Sequence, residues 1–152
     1  MIIYLVYTKE YIVELQKHGS IILTFANLSS ERDIPKGFSR ILIDSGGYQL
    51  QTGKSGRRGT KLGAKMVNEI SVESYANWLD FVLPEHPEII GYFNLDILGD
   101  VDQTLKNMEY LFSRGLKPIP VWHPGEDEYL LDYYCLKSDY VAIGGLVGKA
   151  GN

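Results

Sequence analysis

From about residue 89 onward, apolar runs typical of buried strands alternate with amphipathic stretches typical of helices. The alternation repeats about every 25 residues, which is the spacing of strand–helix units in a parallel sheet. Parallel strands cannot be joined by a tight hairpin and need a crossover connection. This feature therefore predicts an α/β fold in which the strands run in one direction.

The individual elements follow from hydrophobic periodicity and from capping residues. Short apolar runs predict strands at residues 2–6, 21–25, 40–43, 89–95, 117–122 and 140–143. Helical spacing predicts helices at about 8–17, at 71–83, between Asp100 and Gly115, and at 126–136. Asp100 and Gln103 have the spacing of a capping box. We expect a single domain over residues 1–152.

Composition excludes several classes of protein. The single cysteine, Cys135, excludes an internal disulfide and a multi-cysteine metal site within these 152 residues. No apolar run approaches the length of a membrane span, and residues 1–6 lack the basic leader of a signal peptide. A reducing cytoplasm is therefore the expected location. The net charge of −4 argues against a generally basic surface for nucleic acid.

Polar groups recur where the predicted strands end, at Asp44, Asp96, His123 and the Gly144-Gly145 turn. Because the carboxyl ends of parallel strands share one face, we expect these residues to surround one site. Simpler interpretations exist for each side chain. Asp44 could close an Asx turn, Asp96 could cap the turn before Asp100, and His123 could be structural.

A basic stretch follows the turn that begins at Asp44. Residues 54–65 contain no acidic residue, and their cations are Lys54, Arg57, Arg58, Lys61 and Lys65. A solvated surface loop is one interpretation. Contact with the phosphates of a nucleic acid is the other, since such contact needs clustered cations rather than a positive net charge.

Three motifs resemble the tRNA-guanine transglycosylase family, which comprises the queuine and archaeosine tRNA-ribosyltransferases. They are LIDSGGYQ at 42–49, FNLD at 93–96 and AIGGLVG at 142–148. The match covers residues 40–148, whereas the first forty residues match only in pattern. The PVWH run at 120–123, followed by GED at 125–127, looks more like the relatives that insert 7-deazaguanines into DNA.

The resemblance implies a (β/α)8 TIM barrel, here incomplete with about six strand–helix units. It implies an enzyme, a pentosyltransferase that exchanges guanine in DNA or tRNA for a 7-deazaguanine. Asp44 would be the catalytic acid/base beside Ser45, Gly46 and Gly47. Asp96 and His123 would contact the base, although the family often has glutamine near the position of His123. The amides around Gly144, Gly145 and Leu146 would bind the carbonyl oxygen of the base.

Two departures from the family pattern leave a second hypothesis open. The family nucleophile, an aspartate, would lie beyond Asn152, and the cysteine-rich zinc site of the tRNA-specific members has no counterpart here. We therefore expect no cofactor, and either a longer protein or a second chain that completes the barrel. The alternative is a truncated, non-catalytic barrel that binds a 7-deazapurine or a nucleic acid.

Overall fold

The computed structural model describes residues 5–6, 19–28, 34–52 and 70–145. The predicted helix at 8–17, the basic stretch at 54–65 and Leu146 lie outside the described residues. The strands are β1 (Leu5–Val6), β2 (Ser20–Thr24), β3 (Arg40–Asp44), β4 (Ile89–Tyr92), β5 (Val121–Trp122) and β6 (Ala142–Ile143). The helices, numbered here in chain order, are α1 (Gly47–Thr52), α2 (Val72–Val82), α3 (Val101–Ser113) and α4 (Glu128–Lys137).

The α/β class is observed, but the (β/α)8 barrel predicted from the family resemblance is wrong for the described residues. They form a parallel sheet in the order β1-β2-β3-β4 and a separate parallel pair of β5 and β6. A barrel needs eight strands in one closed sheet. Among the described residues, the β-bridge that connects the backbones of the two sheets is an isolated one between Phe93 and Ile119.

Prolines explain why the sheet is interrupted there. Pro118 and Pro120 flank Ile119 and have no N–H to donate to a ladder. Ile119 forms the backbone bonds Ile119 N–H to Tyr92 O and Asn94 N–H to Ile119 O, each at 2.8 Å. The predicted strand at 117–122 is therefore reduced to this bridge and to β5.

The main core lies between the four-stranded sheet and α2. Ile41 and Ile43 of β3 are completely buried, as are Tyr75 and Leu79 of α2. Ser71 caps α2, because its Oγ accepts from Ser74 N–H while Ser74 Oγ accepts from Ser71 N–H. A smaller core of Met108, Leu130 and Tyr134 joins α3 to α4 and continues to Trp122. The described residues therefore have two cores, one beside the four-stranded sheet and one beside β5.

The sequence-based boundaries differ from the structure at several termini. Phe25 begins a 3₁₀ turn at Phe25–Asn27 instead of ending β2, and β4 ends at Tyr92 rather than at residue 95. At α3, Asp100 caps the helix by accepting from Gln103 N–H, but the Gln103 side chain bonds Asn107, so the predicted capping box is only half formed. No helix in the described part of the chain is long and apolar enough to cross a membrane.

Candidate functional site

The structure brings Asp44, Asp96, His123 and Gly144 to the carboxyl ends of β3, β4, β5 and β6, respectively. Short contacts link neighbouring strand ends. A Cβ atom added to Gly47, just after Asp44, would lie 2.9 Å from Oδ1 of Asp96. Nε2 of His123 lies 3.2 Å from Oδ2 of Asp96, and a Cβ added to Gly144 would lie 2.5 Å from the same Nε2. The site therefore spans the junction between the two sheets.

Asp44 is held by two donors beside it. In the β2–β3 register Thr24 lies opposite Asp44, and its Oγ1 donates to Asp44 Oδ2 at 3.1 Å. Gly46 N–H donates to Oδ1 at 3.3 Å, which is the Asx-type contact that the sequence allowed. Burial raises the pKa of Asp44 despite these donors, and the nearby charge of Asp96 raises it further. A carboxyl group with a raised pKa is suited to proton transfer.

The raised pKa predicts that Asp44→Asn stabilises the folded protein at neutral pH. A carboxyl whose pKa is higher in the folded than in the unfolded state binds protons more tightly when folded, so its ionised form opposes folding. Asparagine has the same shape and no charge to bury. Urea denaturation should show a higher midpoint for the variant at pH 7, with the gain disappearing as the pH falls below the ordinary aspartate pKa. An Asp44→Asn variant less stable than wild type at pH 7 would contradict this assignment.

Asp96 is positioned by buried polar residues of α3. Asn107 Nδ2 donates to Leu95 O at 2.8 Å, and Asn94 Nδ2 donates to Thr104 O at 3.0 Å. Ile97 N–H donates to Thr104 Oγ1 at 2.8 Å. These bonds fix the backbone on both sides of Asp96. Asp100 caps α3, and the side chain of Asp96 faces Nε2 of His123.

These supporting residues were not identified from the sequence as part of the site. Thr104 and Asn107 occupy helix positions that share a face with Met108 and Leu111, and all four are buried. Polar side chains on the apolar face of a helix must find partners in the interior. That pattern was the available signal for a structured loop next to α3.

His123 lies between two carboxylates. Its Nε2 faces Asp96, its Nδ1 lies 3.5 Å from Glu126 Oε1, and its backbone N–H donates to Glu126 Oε2 at 2.9 Å. The side chains of His123 and Asp96 are 15% and 16% exposed. The hydrogen bond to Asp96, followed by the charges of Asp96 and Glu126, raises the pKa of His123 even though burial opposes this. Glu126 was predicted only as a helix-start residue, and its spacing of three from His123 was the missed signal.

The glycines of the two turns leave the space that these side chains need. Gly46 has φ +87° and Gly145 has φ +68°, a backbone region that side chains other than glycine rarely adopt. Gly144 lies against the His123 ring, where a Cβ would also come within 2.8 Å of Val121. Gly145 is further away, with its added Cβ 3.5 Å from Cδ2 of His123. The turns therefore allow close approach of the backbone to the site.

Two further buried groups lie next to the site. Ser45 is completely buried, and its Oγ has no hydrogen-bond partner among the described residues. Tyr75 of α2 donates its hydroxyl to Phe93 O at 3.0 Å. Burial, and then the charge of Asp44, holds the pKa of Tyr75 well above its ordinary value, so this phenol stays protonated as a donor.

The arrangement combines carboxylate acceptors with the imidazole of His123, and the side chains of Asp96 and His123 are mostly buried. Asp44 and Asp96 provide carboxylate oxygens, and His123 provides ring N–H groups. The described residues contain no group of three or more His, Cys, Asp or Glu side chains that could hold a metal ion. Such a surface can bind a ligand edge that presents N–H donors and can exchange a proton with it at Asp44.

Comparison with protein-family models, with curated proteins and with solved structures finds no match to this chain.

Proposed function

We propose that the site binds a guanine-like base, a 7-deazaguanine, as part of a transglycosylase that exchanges guanine in a nucleic acid. The observation that carries this proposal is the position of Asp96. Its backbone is held by bonds between α3 and the neighbouring residues Leu95 and Ile97, its Oδ1 lies against Gly47, and its Oδ2 is paired with His123. The amide and amino N–H groups of guanine lie on one edge, so a single carboxylate can accept from both.

Within this proposal, Asp44 handles the proton of the base. Its raised pKa brings its protonation closer to neutral pH, where a general acid/base is most effective. Asp44 and Asp96 lie close enough for the charge of one to affect the other. Proton binding at Asp44 would therefore respond to whether Asp96 is occupied by a donor-rich ligand.

We also propose that the base is exchanged within a nucleic acid. The motif resemblance favours DNA or tRNA as the partner, and the cations expected to contact phosphates are Lys54, Arg57, Arg58 and Lys61, which lie outside the described residues. The exposed thiol of Cys135 suits a reducing compartment, so the cytoplasm is the proposed location.

Direct titration with free bases tests the proposal. We expect a 7-deazaguanine and guanine to bind in calorimetry, and adenine, which presents an acceptor where guanine has an N–H, to bind at least about a hundredfold more weakly. Equal affinity for guanine and adenine would contradict recognition through Asp96. Incorporation of labelled guanine into DNA or tRNA then separates exchange from the alternative, binding without chemistry.

A further inference from the structure

Glu126 uses both of its carboxylate oxygens on His123. Oε2 accepts the backbone N–H of His123 at 2.9 Å, and Oε1 lies 3.5 Å from Nδ1 of the ring. The backbone closes the same turn, because Glu126 N–H donates to His123 O at 3.0 Å. These contacts leave the glutamate little freedom and place its charge on the side of the ring opposite Asp96.

We propose that Glu126 is a positioning residue that holds the His123 ring as a donor at both nitrogens, so that Nε2–H bonds Oδ2 of Asp96 and directs Oδ1 of Asp96 to the ligand. The identity of that ligand rests on the function proposed above. The arrangement of the three side chains does not. Oδ2 of Asp96 faces Nε2 of His123, and Oδ1 of Asp96 lies on the side of Gly47.

The chemistry of the two carboxylates favours this protonation state. A carboxylate only accepts hydrogen bonds, so each ring nitrogen that faces one needs a proton. A neutral imidazole would direct a lone pair at either Asp96 or Glu126 and would be repelled there. The His123 pKa is raised accordingly, with Asp96 as the largest cause and Glu126 as a further one.

Other titratable groups near the ring do not replace Glu126. Tyr134 of α4 lies near Glu126 and Asp96, but burial raises its pKa to about 12, so it is uncharged at neutral pH. Asp44 acts on Asp96 from the β3 side. Asp96 and Glu126 are thus the charged groups that face His123 in the described part of the chain.

The first arm of the test needs no ligand. The ring nitrogens of His123 are followed by ¹⁵N NMR during a pH titration of wild type, Glu126→Gln and Glu128→Gln. Glutamine keeps an acceptor for the backbone N–H of His123 but removes the charge at Nδ1, so the His123 pKa should fall. Glu128 is an exposed residue of α4 and serves as the matched control, whose replacement should leave the titration unchanged. Coincident titrations of wild type and Glu126→Gln would overturn the proposal.

The second arm measures binding. With guanine as the probe, Glu126→Gln should weaken affinity at pH 7 by about tenfold, as expected when the partner of a binding group is lost. Glu126→Asp keeps the charge and should restore part of both the His123 pKa and the affinity. An unchanged affinity together with a lowered His123 pKa would contradict the claim that His123 orients the carboxylate of Asp96 toward the ligand. If guanine fails to bind wild type while the titration shifts as expected, the function proposed above fails and the role of Glu126 at His123 stands.

Discussion

Replacing Asp96 with asparagine is expected to weaken binding of a 7-deazaguanine by about 2–3 kcal/mol, the range for hydrogen bonds to charged groups. The carboxylate presents only acceptors to the N–H donors of the base edge and to Nε2–H of His123, whereas an amide turns one acceptor into a donor that faces another donor. His123 compounds the loss, because its Nε2 lies 3.2 Å from Oδ2 of Asp96 and would lose its ionic partner. Isothermal titration calorimetry with the free base measures the change directly.

The matched control is Asp102→Asn. Asp102 lies in the first turn of α3 and is exposed. Its replacement therefore changes the net charge by the same amount as Asp96→Asn without altering the site. Its base affinity should equal that of wild type. In urea denaturation, Asp96→Asn should lower the free energy of unfolding by less than it lowers the free energy of base binding. Unchanged base affinity in Asp96→Asn would remove Asp96 from the proposed recognition.

Gly47→Ala is expected to destabilise the fold by about 1–3 kcal/mol, the usual cost of adding a methyl group to a filled space. The added Cβ would collide with the backbone carbonyl of Asp96 and lie 2.9 Å from its Oδ1. That carbonyl cannot swing aside as a long side chain could, because Asn107 and Thr104 hold the backbone on either side of it. The loop must therefore shift as a unit, and base affinity should fall together with the urea midpoint.

Gly115→Ala separates this collision from a general loss of stability. Gly115 has φ +77° and open space around it, so alanine there costs only backbone strain, about 1–2 kcal/mol. It lies at the carboxyl end of α3, away from the strand ends that form the site. The urea midpoint of Gly115→Ala should fall while its base affinity stays at the wild-type value. Full base affinity in Gly47→Ala would show that the close approach to Asp96 has no bearing on the site.

The sequence was a good guide to features that depend on local order. Apolar runs and caps located β2, β3, α2 and α3 to within a few residues, because burial and capping act over one or two turns of chain. The rule that parallel strands end at one edge placed Asp44, Asp96 and His123 together.

Most of the parts that failed depend on contacts between distant segments. The barrel was inferred from motif resemblance, and nothing in the motifs showed that Pro118 and Pro120 would leave a single bridge at Ile119. The helix α1 was missed because Gly46-Gly47 reads as a turn, although only Gly46 has a positive φ and Gly47 begins the helix. Thr24 joins Asp44 through the β2–β3 register, twenty residues away, which no local pattern specifies.

In the described part of the chain, one β-bridge, between Phe93 and Ile119, connects the two sheets, and this has a consequence for cooperativity. Asp44 ends β3 and Asp96 follows β4 in the four-stranded sheet, while His123 and Gly144 follow β5 and β6 of the two-stranded pair. The ion pair between Asp96 and His123 therefore links the four-stranded sheet to the β5–β6 pair, which share few backbone hydrogen bonds. A base that contacts both residues would stabilise the association of the two sheets, since a ligand that binds only the associated form favours it by mass action. Binding of the base and association of the two sheets are therefore thermodynamically coupled.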